Sequence, residues 1–255
     1  MEYGLIGEKL GHSYSKIIHE KLSDYKYELN PLNKEEFHIF MKEKNFKGIN
    51  VTIPYKEDVI PYIDKLDDNA RIIGACNTIL NKDNLLYGFN TDYNGFLFTL
   101  EHEGIDVKNK KVIILGTGGA SKAVIRVVEH LCAKEIIMVK NTATNGAITY
   151  EDCFRKHLDA NIIVNTSPVG MYPNVDKSPI DVSLFHTLEA VIDIIYNPLQ
   201  TKLLQESSSL GIKTVNGLLM LVAQAVYAAS YFLDGKIDKE LILKIYYELE
   251  ETFNN

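Results

Sequence analysis

Arginine is nearly missing from this chain of 255 residues. Arg71, Arg126 and Arg155 are the only three, so 24 of its 27 basic residues are lysines. The planar fork that grips carboxylates and phosphates is therefore scarce, and anion recognition falls mostly to hydroxyls, backbone and lysine. Cysteine is sparse too. Cys76, Cys132 and Cys153 lie far apart with no C-x-x-C pair, which points away from a disulfide framework or a zinc site and towards reduced thiols in a cytoplasm. There is no basic excess: the net charge of −7 argues against nucleic acid or an anionic membrane as a partner. The most apolar run, Leu218 to Ala229, is too short to span a bilayer and carries Gln224. The opening MEYGLIGEKLGHS lacks a basic region followed by an apolar core, so no signal peptide is expected. His12 and His19 have no partners at metal-ligand spacing; a structural role is expected for each, and no metal. No internal repeat or low-complexity segment is present. What remains is a balance of 46% hydrophobic and 24% charged residues, suited to a soluble protein of one large or two ordinary domains.

The most informative stretch is Lys111 to Val128. Val112-Ile113-Ile114-Leu115 reads as a buried strand, Gly116, Gly118 and Gly119 follow at once, and an apolar helix begins near Ala120. Strand, glycine turn and helix form the phosphate-cradling unit of dinucleotide-binding sheets. Glycines allow the sharp turn and close backbone approach, and the helix start offers free N–H groups. A plain strand-to-helix turn is the alternative, and the third small residue of the usual G-x-G-x-x-G falls on Ser121. The next strand, Glu135 to Val139, ends in Lys140-Asn141-Thr142, with Lys140 placed 24 residues after Gly116. An acidic residue there would suit NAD; one cation and two polar side chains lean towards NADP.

Ahead of this unit, Tyr3 to Ile6 reads as a strand and Gly11 to Lys16 as a polar loop running into a helix from Ile17. Ser13 and Ser15 suit an anion- or hydroxyl-binding loop, or serve simply as an N-cap. Tyr25 to Asn30 reads as a strand, Lys34 to Lys44 as a helix and Gly48 to Ile53 as a strand stopped by Pro54. Lys56 lies just beyond that strand's carboxyl end, where ligands bind in open α/β sheets; a solvated lysine opening the next helix is the plainer reading. Ala75 to Leu80 and Leu85 to Phe89 suggest a hairpin across Asn81 to Asn84 that carries Asn77. Asp92 stands where the helix Tyr93 to Glu103 would be capped. Further strands are expected at Ile162 to Val164, Ala190 to Ile194 and Lys213 to Val215, and helices at Thr201 to Ser209, Leu218 to Leu233 and Lys239 to Glu251. The alternation implies parallel sheets, with the last two helices packing back on the first region. Within its apolar helix, Gln224 reads equally as a satisfied amide or a ligand-facing one.

Seven stretches, in order, resemble the shikimate dehydrogenase family. They are His12-Ser13-Tyr14-Ser15, Asn50-Val51-Thr52-Ile53-Pro54-Tyr55-Lys56, Ala75-Cys76-Asn77-Thr78, Asn90-Thr91-Asp92, Gly116-Thr117-Gly118-Gly119-Ala120-Ser121, Asn165-Thr166-Ser167-Pro168-Val169-Gly170-Met171 and Asn216-Gly217 through Gln224. The resemblance implies an α/β enzyme with a discontinuous substrate domain, residues 1–103 plus 216–255, a Rossmann-like NADP-binding domain, residues 104–215, and the active site in the cleft between them. It implies NADPH-dependent reduction of 3-dehydroshikimate to shikimate in the pathway to chorismate and aromatic amino acids, in the cytoplasm, by a monomer or homodimer.

Carried over by motif, Ser13 and Ser15 would hold the substrate carboxylate, with Tyr196 near it. Thr52, Asn77, Asp92 and Gln224 would bind the ring hydroxyls and carbonyl, and Lys56 and Asp92 would be the catalytic pair. Gly116, Thr117, Gly118, Gly119, Ala120, Lys140, Asn141, Thr142, Ile194 and Gly217 would hold the cofactor. There are departures. The family's Asn-Arg-Thr is Lys140-Asn141-Thr142 here, the segment from Thr142 to Tyr150 is short by a helix and part of a strand, and Lys16 and Tyr93 replace a common proline and glycine. Two rival readings follow from them: a quinate/shikimate dehydrogenase preferring NAD, and a non-catalytic dinucleotide-binding sensor.

Overall fold

The computed structural model describes residues 1–11, 14–144 and 146–254, folded as two compact units. One holds residues 1–95 and 221–252, and the other is built on residues 96–220. Each has its own six-stranded sheet.

The first unit opens with β1 (Tyr3–Gly7), α1 (Tyr14–Leu22), β2 (Tyr27–Pro31), α2 (Lys34–Glu43) and β3 (Gly48–Val51). β2 and β3 pair in parallel on either side of β1. A capping box starts α2: Asn33 Oδ1 accepts from the Glu35 and Glu36 N–H groups, while Glu36 reaches back to the Asn33 N–H at 2.8 Å. Phe37 and Met41 of α2 then enter a core with Ile6, Ile49, Tyr55 and Val59. α1 begins at Tyr14, three residues earlier than expected, so Ser15 lies within its first turn and is not its N-cap.

β4 (Lys65–Leu66) and α3 (Asp68–Ile73), neither expected from the sequence, precede the hairpin β5 (Thr78–Lys82) and β6 (Leu85–Phe89). The reversing turn is only Asp83-Asn84, both left-handed at φ 54° and 63°. Such a pair matches the twist of the flanking strands, which keeps Asn81 and Lys82 in the ladder. The hairpin makes β5 antiparallel to β3 and to β6, so this sheet, ordered β2-β1-β3-β5-β6-β4, is mixed and not purely parallel.

α4 (Thr91–Glu103) starts one residue before Asp92. The cap is Asn90: its Oδ1 accepts from the Tyr93 N–H at 3.2 Å and its Nδ2 donates to the Ala75 carbonyl at 2.9 Å. Asp92 therefore sits inside the first turn, where a carboxylate is favoured by the helix dipole but its side chain is released from capping.

The second unit contains β7 (Lys111–Leu115), α5 (Gly119–His130), β8 (Glu135–Val139), β9 (Ala147–Ile148), α6 (Tyr150–Lys156), β10 (Ile162–Asn165), β11 (Ala190–Asp193), α7 (Lys202–Ser209) and β12 (Lys213–Val215). All pairings are parallel and the order is β12-β11-β10-β7-β8-β9. Counted from the other edge this is the 3-2-1-4-5-6 order of doubly wound sheets, whose direction of winding reverses between β7 and β10. Ile113, Leu115, Ile163 and Val191 are fully buried in its core. At the β9 edge the expected loss is visible. No helix joins β8 to β9 among the described residues, and β9 is two residues long, laddered to Met138 and Val139 with a single antiparallel bridge from Ala147 to Thr144.

α8 (Leu218–Phe232) and α9 (Lys239–Asn254) end the chain. Ala228 and Phe232 pack on Leu5 and Tyr27 in the first unit, and Phe232 fills the space a side chain at Gly48 would need. Glu248 of α9 pairs with Lys21 of α1 at 2.7 Å. His19, on the buried side of α1, stacks on Tyr27 with centroids 4.1 Å apart and its Nδ1 lies 2.6 Å from the Tyr25 hydroxyl. Burial holds its pKa down to about 3, so it is a neutral structural imidazole.

Two stability changes follow. Asn90→Ala removes the cap and orphans the buried Ala75 carbonyl, costing about 2 kcal/mol in urea unfolding. A loss below about 0.5 kcal/mol would return the cap to Asp92. The unfolded chain protonates His19 at the ordinary imidazole pKa and the folded one only near 3, so stability present at neutral pH is lost as pH falls through that window. His19→Phe should flatten the acid limb of the stability curve between about pH 6.5 and 4; an unchanged slope would contradict this origin.

Candidate active site

Lys56 owes its position to the residue before it. Tyr55 is buried, stacks on Phe37 with centroids 4.2 Å apart and donates its hydroxyl hydrogen to the Leu32 carbonyl at 2.7 Å. The Thr52 N–H is held by Ile6 O, and the Lys56 carbonyl accepts from the Cys76 N–H at 2.7 Å. No helix opens at Lys56. Residues 53–59 form turns, and the Lys56 ammonium meets the Asp92 carboxylate with Nζ–Oδ2 at 2.6 Å. Their side chains are only 17% and 13% exposed, which excludes a freely solvated lysine.

Asn77 lies beside this pair in the covalent and hydrogen-bonded framework. Its backbone carbonyl accepts from the Val51 N–H at 2.9 Å and from Asn50 Nδ2 at 3.2 Å. Its side-chain oxygen accepts from the Thr91 N–H at 2.7 Å and lies 3.1 and 3.2 Å from the Thr78 and Thr91 hydroxyls. A backbone N–H can only donate, so this contact fixes which way the amide points. Asn77 Nδ2 keeps its two hydrogens for something else. Neither it nor the Thr52 hydroxyl has a partner among the described residues. Asn50 is itself aimed by the Tyr27 hydroxyl, which donates to Asn50 Oδ1 at 2.7 Å. The neighbouring Cys76 is no nucleophile: burial pushes its thiol up to about 12.

Lys56, Asp92, Asn77 and Thr52 thus converge where β3, β5 and α4 begin or end. The other expected groups lie on other segments of the chain. Ser15 is half-buried in α1, and His12 and Ser13 lie outside the described residues. Gln224 sits on α8 and donates its Nε2 hydrogen to the Leu221 carbonyl at 2.8 Å, within its own helix. Tyr196, half-buried, follows β11 in the second unit. The supporting Asn50, Thr78, Asn90 and Thr91 carry no role that the sequence reading assigned. The available signal was polar side chains interrupting apolar strand ends, with Thr78 and Thr91 directly beside Asn77 and Asp92.

The second unit presents its own concave features at the carboxyl ends of its strands. Gly116 takes φ 103°, a conformation unfavourable for any side chain, and a Cβ there would press on Thr166 and Ser167. Gly118 faces open space and caps α5 with no side chain, leaving the first N–H groups of the helix available. Ser121 is buried, and its hydroxyl returns to the Gly118 carbonyl at 2.6 Å, which closes the turn where a third small residue is usual. Thr117 is exposed and Ala120 half-buried beside it. Lys140 anchors through its N–H to Ile148 O at 3.0 Å, and its ammonium makes no ion pair with any described residue. Asn141 and Thr142 are exposed next to it. Gly217 donates to Ile195 O at 2.9 Å, and a Cβ on it would fall on the Ile194 carbonyl. These residues fit a pyrophosphate and a flanking anion. Among the described residues no group of three His, Cys, Asp or Glu could hold a metal ion, and no helix is long and apolar enough to cross a membrane.

Residues 5–79 match the family model for the shikimate dehydrogenase substrate binding domain. The shikimate dehydrogenase (NADP(+)) of Clostridium perfringens strain 13 is 38% identical over 98% of this chain and 99% of its own. Among solved structures, shikimate dehydrogenase 1 of Peptoclostridium difficile is 39% identical with a TM-score of 0.88, covering all of both chains. The shikimate 5-dehydrogenase of Thermus thermophilus, solved with NADP(H) and shikimate, is 29% identical with a TM-score of 0.85 over 97% of this chain and 99% of its own. With relatives at this identity over almost its whole length, the chain belongs to the shikimate dehydrogenase family.

Proposed function

We propose that this chain catalyses the reversible, NADP-linked reduction of 3-dehydroshikimate to shikimate, with Lys56 and Asp92 as the acid–base pair. The observation that carries the reading is the 2.6 Å contact between their side chains, largely shielded from water. When bound, NADPH supplies the hydride that reaches the ketone carbon. Negative charge then develops on the ketone oxygen, and a positioned proton donor there is worth about 10²–10⁴ in rate. Lys56 Nζ gives that proton and takes it back in the oxidative direction. Asp92 orients the ammonium through Oδ2 and leaves Oδ1 to accept from a ring hydroxyl. Asn77, its oxygen already engaged, acts as donor to a substrate oxygen. Thr52 and Gln224 complete the ring contacts, while Ser13, Ser15 and Tyr196 take the carboxylate in a chain with few arginines.

In this reading residues 1–103 with 216–255 serve the substrate and residues 104–215 the cofactor. Gly116 to Ala120 cradle the pyrophosphate, Ile194 and Gly217 border the nicotinamide half, and Lys140, Asn141 and Thr142 meet the 2′-phosphate. The Lys140 ammonium, in no ion pair with any described residue, supports NADP over NAD. The chain's net charge of −7 and widely spaced thiols support a cytoplasmic protein that takes no nucleic acid, and the family resemblance a monomer or homodimer. The absence of an arginine after Lys140 is the one feature that runs towards a rival, a quinate/shikimate dehydrogenase preferring NAD.

Lys56→Ala should lower kcat for shikimate oxidation by about 10²–10⁴ while shikimate KM changes by less than about fivefold. Near-wild-type kcat in that variant would remove Lys56 from the chemistry. Lys140→Ala should raise NADP KM by about tenfold and leave NAD KM unmoved. Equal effects on both cofactors would mean that Lys140 does not meet the phosphate, and would favour the rival.

A further inference from the structure

Asp193 has no part in the chemistry above, yet it is fully buried at the carboxyl end of β11. Its carboxylate gathers donors from three segments. Oδ1 accepts from Asn165 Nδ2 at 3.0 Å and from the Ile195 N–H at 3.1 Å, and Oδ2 accepts from the Thr201 hydroxyl at 2.8 Å. Asn165 passes the connection on, since its Oδ1 accepts from the Ser167 N–H at 3.0 Å and hydroxyl at 2.7 Å. Thr166, between them, is tied by its N–H and hydroxyl to the Leu115 carbonyl, each at 2.8 Å. The bare face of Gly116 rests on this Thr166-Ser167 segment. On the other side, Ile194 and Ile195 present the carbonyls against which Gly217 sits. One carboxylate therefore links the wall behind the glycine turn to the seat of Gly217, across the ends of β10 and β11 and beside the point where the sheet's winding reverses.

We propose that Asp193 is a positioning residue for the cofactor: it touches no reacting atom, and holds the segments after β10 and β11 in the spacing that Gly116 and Gly217 need. The proposal rests on the assignment of those glycines to the cofactor. Burial pushes the Asp193 pKa up to about 6 against the pull of its three donors, so at neutral pH it remains the acceptor the arrangement calls for. All its partners lie in the second unit, which separates its effect from the substrate groups of the first.

The test measures NADPH affinity by nicotinamide fluorescence, alongside KM for NADP and for shikimate, in wild type, Asp193→Ala, Asp193→Asn and Asn165→Ala. Asp193→Ala should weaken NADPH binding and raise NADP KM by about tenfold, with shikimate KM within about twofold. Asp193→Asn should recover most of that loss, because its oxygen can still accept from Asn165 and Ile195 while its amide donates to Thr201. Asn165→Ala cuts the same link at its next member and should weaken NADPH by about threefold; with Asp193→Asn it carries the test if Asp193→Ala does not fold. Wild-type NADPH affinity in the Ala variants overturns the inference, as does a shikimate KM that rises as far as that for NADP. A wild-type protein that binds no NADPH removes the cofactor assignment and this inference with it. One that binds NADPH without oxidising shikimate refutes only the proposed reaction, and the variants' affinities then still decide the role of Asp193.

Discussion

Asn77 places an amide oxygen where water scarcely reaches, and the Thr91 N–H meets it at 2.7 Å. A buried polar atom without a partner costs about 1–3 kcal/mol, so strand ends carrying such atoms must be tied to something. In the first unit that requirement joins β3, β5 and the start of α4 through Asn50, Asn77, Thr78 and Thr91. The same ties deliver Asp92 to Lys56. In the second unit Asp193 and Asn165 join the ends of β10 and β11 in the same manner. Both candidate sites are places where the loops that would otherwise move are held from beneath by satisfied buried side chains.

Scarcity of arginine gives the chemistry a particular cast. A lysine offers a compact charge on a flexible stem and depends on its surroundings for direction. Lys56 receives that direction from Tyr55, clamped between Phe37 and Leu32 O, and from Asp92. Lys140 receives only a backbone anchor to β9. The first lysine is built into a site, whereas the second is held ready at the edge of a shortened sheet.

Much of this was legible in the chain itself. The run Val112 to Leu115 with its glycines carries both strand and turn in local preference, and the doubly wound order followed. Motif order placed Lys56 near Asp92 although 36 residues separate them. Other features were hidden for identifiable reasons. β4 is two residues long and α3 six, too short for any periodicity to develop. Asn90 and Asp92 are both good caps one residue either side of Thr91, and tertiary bonds, from Asn90 to Ala75 O and from Lys56 to Asp92, select between them. The role of Asp193 was not legible, because Asn165, 28 residues away, reaches it only once β10 and β11 lie side by side. The missing helix after β8 was readable as a deletion; that a two-residue β9 still pairs in parallel was not.

The most direct test of the account is the initial rate of nicotinamide reduction by the purified, folded protein with shikimate, offered NADP and NAD in parallel. The account predicts turnover with both or with NADP alone, and faster turnover with NADP. No turnover with either cofactor would contradict it, and would mean that the Lys56–Asp92 pair is retained without the reaction it is arranged to perform.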